Sequence, residues 1–333
     1  KPVLKADLDL GSYPNAVAEI NISGGTFVGG IDMAKNENVH LNITGGTFSV
    51  DPNAYCATGY TATKNESGQW VVSPKEGMEA DTSVSGNTAS AEVGGTFSGN
   101  EDLGQDNVGA SNGTLSIDAT VTEGDTAAIT KTEVSIGNEA LTSVSGANSV
   151  NSVVLKTNVA DLTVDKAAWN AITKNADGAK VALTIEEKAG TGGAPLTYTV
   201  TATANGKDVY SADNATGSIK ISVKYEGTDL PKVYYVGPNG LEDMKAELKD
   251  GILSWTAKHF SDYVVVSGEQ KILVKESDGS LEYYGTLTDA ITNAGENAVI
   301  TLLADIPDAV GISVPSGKKF VLDFNQHTYT LTG

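Results

Sequence analysis

The chain has 333 residues and a formal charge of −20, and all of its 22 basic residues are lysines. Nucleic-acid readers depend on a basic surface and on the planar fork of arginine, so this composition argues against nucleic-acid binding. A single cysteine, Cys56, excludes an internal disulfide framework, and no run reaches the ~18 apolar residues of a membrane helix. The acidic, Thr/Ser/Asn/Gly-rich composition is typical of an exported Gram-positive bacterial protein.

The octapeptide INISGGTF at Ile20–Phe27 returns as LNITGGTF at Leu41–Phe48, 21 residues later. In both copies apolar residues alternate along the chain, and a Gly-Gly pair then precedes a phenylalanine. A short fixed period with strand-like alternation predicts the stacked coils of a β-solenoid. We therefore expect residues 1–73 to be the end of a parallel β-helix, with Phe27 and Phe48 stacked in adjacent coils.

A hairpin is predicted to cap these coils, because Thr61/Thr63 and Trp70/Val72 flank the polar turn Asn65–Gly68. Residues 74–90 are polar and lack periodicity, which predicts a linker. A third GGTF, at Gly94–Phe97, lies 49 residues after the second and is therefore out of register with a 21-residue coil.

Residues 91–268 contain short alternating segments separated by Gly, Asn and Asp turns, which predict a β-sandwich. The predicted strands are Thr114–Ile117, Glu133–Ile136, Ser152–Lys156, Val181–Ile185, Leu196–Ala202, Ile219–Val223, Val233–Val236, Ile252–Thr256 and Tyr263–Val266. One helix interrupts them, with Asp165 as its N-cap and Gly178 after its end. Leu241, Met244 and Leu248 have helical spacing, but turns flank the segment on both sides, so we predict strand.

Residues 269–333 are predicted to form a helical cap and the first coils of a second β-helix. Thr286 begins the helix with a capping-box-like pattern, and Gly295 ends it. Predicted strands follow at Val299–Leu303, Gly311–Val314, Lys319–Phe324 and Thr328–Leu331. The predicted fold class is thus all-β, with parallel β-helix segments flanking a β-sandwich and two short helices. Open coil edges predict self-association through residues near 1–20 or 315–333.

Several segments resemble parts of one family. Ile43–Val72 is similar to the closing coils of right-handed β-helix regions in large, multidomain, adhesin-like surface proteins of gut Firmicutes. Val153–Ile172 and Val233–Val266 resemble a β-sandwich module that recurs in those proteins, and Gly285–Gly333 resembles the start of another β-helix. The resemblance implies a non-enzymatic structural or adhesive segment of a cell-surface or secreted protein. Its ligands would be host glycans, mucin or proteins, bound by solenoid faces or sandwich loops.

The tripeptide His259-Phe260-Ser261 is similar to the self-cleavage sequence of ZU5-type and nucleoporin autoproteolytic domains and to the related GAIN site. There the serine hydroxyl attacks the preceding carbonyl while the histidine accepts its proton. The alternative is that Phe260 is a buried anchor of the last hairpin. We predict no catalytic residue in this chain and an intact Phe260–Ser261 bond, with self-processing as the second hypothesis.

No metal or cofactor is predicted. The histidines His40, His259 and His327 are scattered, and with Cys56 they are too few for a closed zinc site. We expect His40 on the face of a solenoid strand and His327 at a corner or edge.

Acidic residues also fail to form a recognisable site. Glu186 and Glu187 are adjacent on a predicted strand, so their side chains face opposite sides. The cluster Glu101, Asp102 and Asp106 lacks the spacing of a calcium-binding loop. Because parallel β-helices host polysaccharide lyases and pectinases, a carbohydrate-active β-helix is the third hypothesis.

Overall fold

The structure is a computed structural model that describes residues 3–10, 17–33, 39–99, 107–122, 129–189, 195–227, 229–237 and 240–332. Strands dominate these residues, which confirms the all-β class in its general form. The chain forms two compact units. Unit 1 comprises Lys1–Ile185, Thr201–Lys220 and Lys258–Phe260, and unit 2 comprises Glu186–Val200, Ile221–Ala257 and Ser261–Gly333.

Up to residue 224 the strands are β1 (Val3–Leu4), β2 (Leu8–Leu10), β3 (Ala18–Phe27), β4 (Ile31–Met33), β5 (Val39–Phe48), β6 (Tyr60–Lys64), β7 (Trp70–Pro74), β8 (Gly77–Ser85), β9 (Thr88–Thr96), β10 (Val108–Ser111), β11 (Thr114–Asp118), β12 (Lys131–Ile136), β13 (Ser152–Lys156), β14 (Asp161–Asp165), β15 (Val181–Lys188), β16 (Leu196–Ala204), β17 (Lys207–Asp208) and β18 (Ile219–Lys224). Among the described residues of this part, the helices are a 3-10 turn at Asn53–Tyr55, α1 (Asn138–Gly146) and α2 (Lys166–Ala176). The remaining elements are β19 (Lys232–Gly237), β20 (Gly240–Asp243), β21 (Glu247–Lys249), β22 (Ile252–Ala257), β23 (Asp262–Val266), β24 (Ile272–Lys275), β25 (Leu281–Tyr284), α3 (Leu287–Asn293), β26 (Ala298–Leu302), β27 (Ile306–Ala309), β28 (Phe320–Asp323) and β29 (Tyr329–Leu331).

The repeated octapeptides lie on β3 and β5, which pair in parallel. Phe27 pairs with Phe48, and their rings stack with centroids 4.7 Å apart and planes 6° apart. This confirms the predicted stacking of the two phenylalanines. Strand β1 joins β3 in parallel, and β2 pairs in parallel with β4. The sheets of the described residues are open, and none closes into a solenoid.

The glycine pairs of the repeat allow the two octapeptides to approach closely. A Cβ atom on Gly45 would lie 2.6 Å from the carbonyl oxygen of Ser23, a distance that real Cβ contacts do not reach. A Cβ atom on Gly24, the matching position of the first copy, would meet nothing within 4 Å. Gly45 therefore must be glycine because it lies against the first copy, whereas the next residue, Gly46, has a φ of +123° that itself favours glycine.

The predicted hairpin is confirmed, and its role as the cap of a solenoid stays a prediction. β6 and β7 pair antiparallel, and β7 also pairs antiparallel with the end of β5, where Trp70 lies opposite Phe48. Ala62 and Val72 from the hairpin are buried with Ile43 and Phe48 of the repeat. The hairpin thus covers the far edge of the parallel strands and completes their apolar core.

The predicted linker at residues 74–90 is wrong, because most of this segment lies in the antiparallel pair β8–β9. Ser85 pairs with Thr88 across a two-residue turn in which Gly86 has φ +60°. The buried face is made largely of small side chains, including Ala80, Ala89 and Ala91. Small apolar residues between threonines and serines give a weak alternation, so hydrophobic periodicity did not reveal these strands.

Three α-helices occur in the described residues, one more than the two predicted. The additional helix, α1, buries Ala140, Leu141 and Val144. Trp169 of α2 donates its Nε1 hydrogen to the Leu141 carbonyl over 3.1 Å, and Lys166 Nζ lies 2.8 Å from the carbonyl oxygen of Ala147. Packing and capping by α2 therefore stabilise a short, Ser/Thr-containing helix that local propensity does not indicate.

In unit 2, β16, β23, β19 and β20 form a run of antiparallel neighbours. The segment Leu241–Leu248 is strand and not helix, as predicted, but it forms two short strands, β20 and β21, which include its two ends. Lys245 between them has φ +51°, which a continuous helix does not permit. Local turn chemistry therefore outweighs the helical spacing of the apolar residues.

The C-terminal part of unit 2 also contains parallel pairs at nearly the same spacing as the octapeptide repeat. Ala298 of β26 pairs with Phe320 of β28, 22 residues later, and Ile306 of β27 pairs with Tyr329 of β29, 23 residues later. Thr286 caps α3 as predicted, since its side chain accepts from the Asp289 backbone N–H over 3.1 Å.

The predicted strand Gly311–Val314 is wrong. These residues have no regular secondary structure, and the strand lies earlier in the chain, at β27. Ile312 and Val314 expose 38% and 54% of their surface. The alternation of apolar residues matches that of a strand, but these side chains do not form a buried face. Alternation alone does not distinguish a strand from an exposed irregular segment.

The stacking of the repeat generates the first prediction. Gly45→Ala places a methyl group against the Ser23 backbone, so we expect it to lower the free energy of unfolding by about 3 kcal/mol, the upper end of the usual cost of overpacking. Gly24→Ala is the matched control and should leave stability nearly unchanged. Urea denaturation of the three proteins provides the measurement. Equal effects of the two substitutions would show that the octapeptides do not stack.

Candidate functional site

Phe260 lies in a buried environment and contacts an aromatic ring. Its side chain is 8% exposed and packs edge-on against the Tyr210 ring, with centroids 5.2 Å apart. Its backbone N–H donates to the Tyr210 carbonyl over 3.0 Å. Both residues belong to unit 1. These contacts agree with the hypothesis that Phe260 is a buried anchor.

His259 is oriented toward the carbonyl that self-cleavage would attack. Its Nδ1 atom lies 3.1 Å from the carbonyl oxygen of Phe260. In the tautomer in which Nδ1 donates to this carbonyl, the lone pair of the ring lies on Nε2, so only Nε2 could act as the base that activates Ser261. The Ser261 carbonyl accepts from the Val200 N–H over 3.0 Å. None of His259, Phe260 and Ser261 has a positive φ, and no cis peptide bond occurs in the described residues.

An ordinary backbone at Phe260–Ser261 generates the second prediction. Self-cleavage at such sites relies on a strained scissile bond, so we expect the purified protein to give one full-length mass. Ser261→Ala should have the same mass pattern apart from the substitution itself. Two fragments that meet at residue 260 and disappear in Ser261→Ala would contradict this expectation and establish self-processing.

The other two histidines are His40 in unit 1 and His327 in unit 2. His40 is exposed on β5, and His327 lies in the turn after β28, as predicted. His327 Nδ1 is 3.4 Å from Asp305 Oδ1. The pKa of Asp305 lies below its usual range mainly because the Thr328 backbone N–H donates to its carboxylate. The contact with His327 thus belongs to a corner of the chain held by backbone hydrogen bonds.

Acidic residues in the described ranges form no group of three or more with His or Cys that could hold a metal ion. Glu186 lies 3.1 Å from Lys188 Nζ, whereas Glu187 accepts from the Tyr198 hydroxyl over 2.8 Å. The two glutamates therefore face opposite sides, as predicted. Glu101, Asp102 and Asp106 lie outside the described residues.

Unit 2 contains a cleft that sequence reasoning did not find. It has a volume of about 590 Å³ and lies over one face of β16 and β23, beside β25. Thr197 pairs with Val264, and Thr199 pairs with Asp262, so these four side chains share a face of the sheet. Thr199 Oγ1 donates to Asp262 Oδ1 over 2.6 Å. The full lining is Lys188, Ala189, Pro195, Thr197, Thr199, Val236, Asp262, Val264, Leu281 and Tyr283.

The same face of the sheet is partly covered by the C-terminal segment of unit 2. Tyr234, Val264 and Leu273 are buried together in one apolar cluster, which also includes Leu303. The Leu303 carbonyl accepts from the Tyr234 hydroxyl and from Lys232 Nζ, each over 2.8 Å. Since this cover leaves Thr197, Thr199 and Asp262 open to the cleft, the polar part of the face is accessible while the apolar part is buried.

Tyr283 has a distinctive environment in this cleft. Its hydroxyl oxygen is buried and has no hydrogen-bond partner in the described residues. Burial raises the pKa of this phenol above its usual range, so the group stays protonated and can donate. A buried polar group without a partner typically costs about 1–3 kcal/mol. Such groups in native structures therefore point to a ligand, a water molecule or a functional role.

The residues of the cleft come from distant parts of the chain, between Lys188 and Tyr283. The only local signal is the alternation of threonine with buried residues in β16, which is common to many exposed sheet faces. Sequence reasoning instead selected His259-Phe260-Ser261, because adjacent residues form a recognisable motif.

Comparison of this chain with protein-family models, with curated proteins and with solved structures finds no match. Within the described ranges, no helix combines the length and apolar character that crossing a bilayer requires.

Proposed function

We propose that this chain is a non-enzymatic structural and adhesive segment of an exported bacterial cell-surface protein. In this proposal residues 1–73 and 269–333 are parallel β-helix coils of right-handed type that flank a β-sandwich module. The main support for this proposal is the parallel pairing of strands 21 to 23 residues apart in both regions. A repeating parallel register is the geometry of a solenoid, in which each turn contacts only its neighbours.

Side-chain hydrogen bonds between successive turns support this proposal. Asp7 Oδ1 accepts from the Gly30 N–H over 2.6 Å, and Asp305 Oδ1 accepts from the Thr328 N–H over 2.8 Å. Both bonds join residues 23 positions apart. The same type of contact thus occurs in two regions that are remote in sequence, which is expected if both build coils in the same way.

The edge strands and their exposed apolar side chains support a role in contacts. Val3 on β1, Val321 on β28 and Leu331 on β29 each expose more than half of their surface. Exposed parallel edges and apolar side chains favour association with other chains. We therefore propose that the solenoid faces or the β-sandwich loops bind host glycans, mucin or protein ligands, and that the coil ends also permit self-association.

The self-processing module remains the second hypothesis, and the 3.1 Å contact between His259 Nδ1 and the Phe260 carbonyl oxygen is the observation in its favour. A donor at this oxygen would polarise the bond that Ser261 attacks. It still requires a base for the serine and strain in the peptide. The structural and adhesive proposal needs neither.

Adhesion of the whole chain generates the third prediction. Beads that carry the full chain should adhere to surfaces of mucin, immobilised host glycans or immunoglobulin, and soluble chain should compete for this binding. Beads that carry serum albumin are the control, and light scattering on the soluble chain separates adhesion from self-association. Binding no stronger than that of albumin on every surface would contradict the adhesive part of the proposal.

A further inference from the structure

The cleft over β16 and β23 presents groups suited to hydroxyl-rich ligands. Asp262 Oδ1 already accepts from Thr199, and the carboxylate has further lone pairs for ligand hydroxyls. Thr197, beside it on the same face, is partly exposed and both donates and accepts. The Tyr283 hydroxyl completes the set as a buried group without a partner among the described residues. A ligand hydroxyl that reaches this group would satisfy a hydrogen bond that the free protein leaves unmade.

The apolar part of the lining favours a ring with carbon–hydrogen faces. Val236 and Leu281, which are both partly exposed, line the cleft next to the groups that hydrogen-bond. Aromatic and aliphatic side chains beside a few placed polar groups are typical of small-molecule sites, and 590 Å³ lies within their usual range of ~300–1,000 Å³. Saccharide rings combine apolar faces with equatorial hydroxyls and match both parts of the lining.

Charge distinguishes neutral from anionic saccharides. The one cationic side chain of the lining, Lys188, lies 3.1 Å from Glu186, so its charge is already partly balanced. Asp262 contributes a negative charge to the cleft itself. The whole chain carries −20, which repels anions at long range. An acidic sugar such as a sialylated or sulfated glycan would therefore be disfavoured.

We propose that this cleft binds a neutral saccharide, with Tyr283 donating a hydrogen bond to a sugar hydroxyl while Asp262 and Thr197 bind others. This inference rests on the proposed adhesive function and gives it a ligand class and a site. It also explains why a buried phenol lacks a partner in the free protein. The ring lines the cleft and packs against the apolar cluster that contains Val264, and its hydroxyl oxygen is buried.

Tyr283→Phe tests the proposal because it should change stability and binding in opposite directions. Removal of a buried hydroxyl without a partner should raise the melting temperature of the free protein. The same substitution should weaken binding to immobilised neutral oligosaccharides of galactose, glucose and N-acetylhexosamines by at least tenfold. Both readouts are taken on the full chain, by thermal unfolding and by a saturation assay on the glycan surface.

The adjacent Tyr284 provides the matched control. Its hydroxyl donates to Glu282, and on β25 its side chain faces the side opposite to Tyr283. Tyr284→Phe should leave saccharide binding within twofold of the parent and should not raise the melting temperature. Asp262→Asn, which keeps the size of the side chain, should weaken binding as Tyr283→Phe does.

Four outcomes of these experiments distinguish failure of the proposed saccharide site from failure of the proposed adhesive function. Weaker binding in Tyr283→Phe and Asp262→Asn, with Tyr284→Phe unchanged, supports the cleft. Unchanged binding in all three variants overturns the cleft and leaves adhesion standing. Preference for sialylated or sulfated over neutral glycans overturns the neutral saccharide. No binding to any saccharide by the parent chain overturns the cleft proposal, and the mucin and immunoglobulin surfaces then decide adhesion independently.

Discussion

The stacking of one chain segment on another in parallel register is the constraint on which the N-terminal part of the structure depends. Phe27 and Phe48 share one column of aromatic rings, and Asn42 donates to Asn21 over 3.3 Å in the same register. Gly45 has no Cβ because the Ser23 backbone occupies the space it would need. An offset of 21 residues thus aligns the apolar and polar positions at once, and the register shifts by one residue only at the glycines, where Ser23 pairs with Gly45. Any other offset would bring unlike positions together.

The C-terminal part is also built from parallel pairs of strands at a similar spacing, but with different residues. Its parallel pairs have offsets of 22 and 23 residues, and Asp305 accepts from a backbone N–H 23 residues later in the chain, as Asp7 does near the N-terminus. The segment also packs on the sheet of unit 2 through the Leu303 carbonyl. The proposed cleft depends on this packing, because β25 places Tyr283 beside the sheet face that carries Thr197 and Asp262.

Local signals predicted the elements that local interactions stabilise. The repeated octapeptide predicted the ring stacking, and Asp165 and Thr286 each accept the capping hydrogen bond that their positions predicted. Elements that depend on distant partners were missed. Helix α1 needs Lys166 and Trp169, and the β8–β9 pair buries alanines whose hydrophobic signal is weak. The exposed alternation at Ile312 and Val314 instead predicted a strand where the structure has no regular secondary structure. The cleft has no sequence signature because its lining residues meet only after folding.

A disulfide between stacked positions tests the parallel register most directly. Asn21 and Asn42 are directly paired on adjacent strands, so their Cα atoms are about 4.8 Å apart, within the range that a disulfide bridges. In a Cys56→Ser background, Asn21→Cys with Asn42→Cys should form an intramolecular disulfide on mild oxidation, seen as loss of both thiols by mass spectrometry. The control Glu19→Cys with Asn42→Cys, displaced two residues along the strand to about 8 Å, should remain reduced. Failure of the first pair to close, or equal closure of both pairs, would contradict the stacked register.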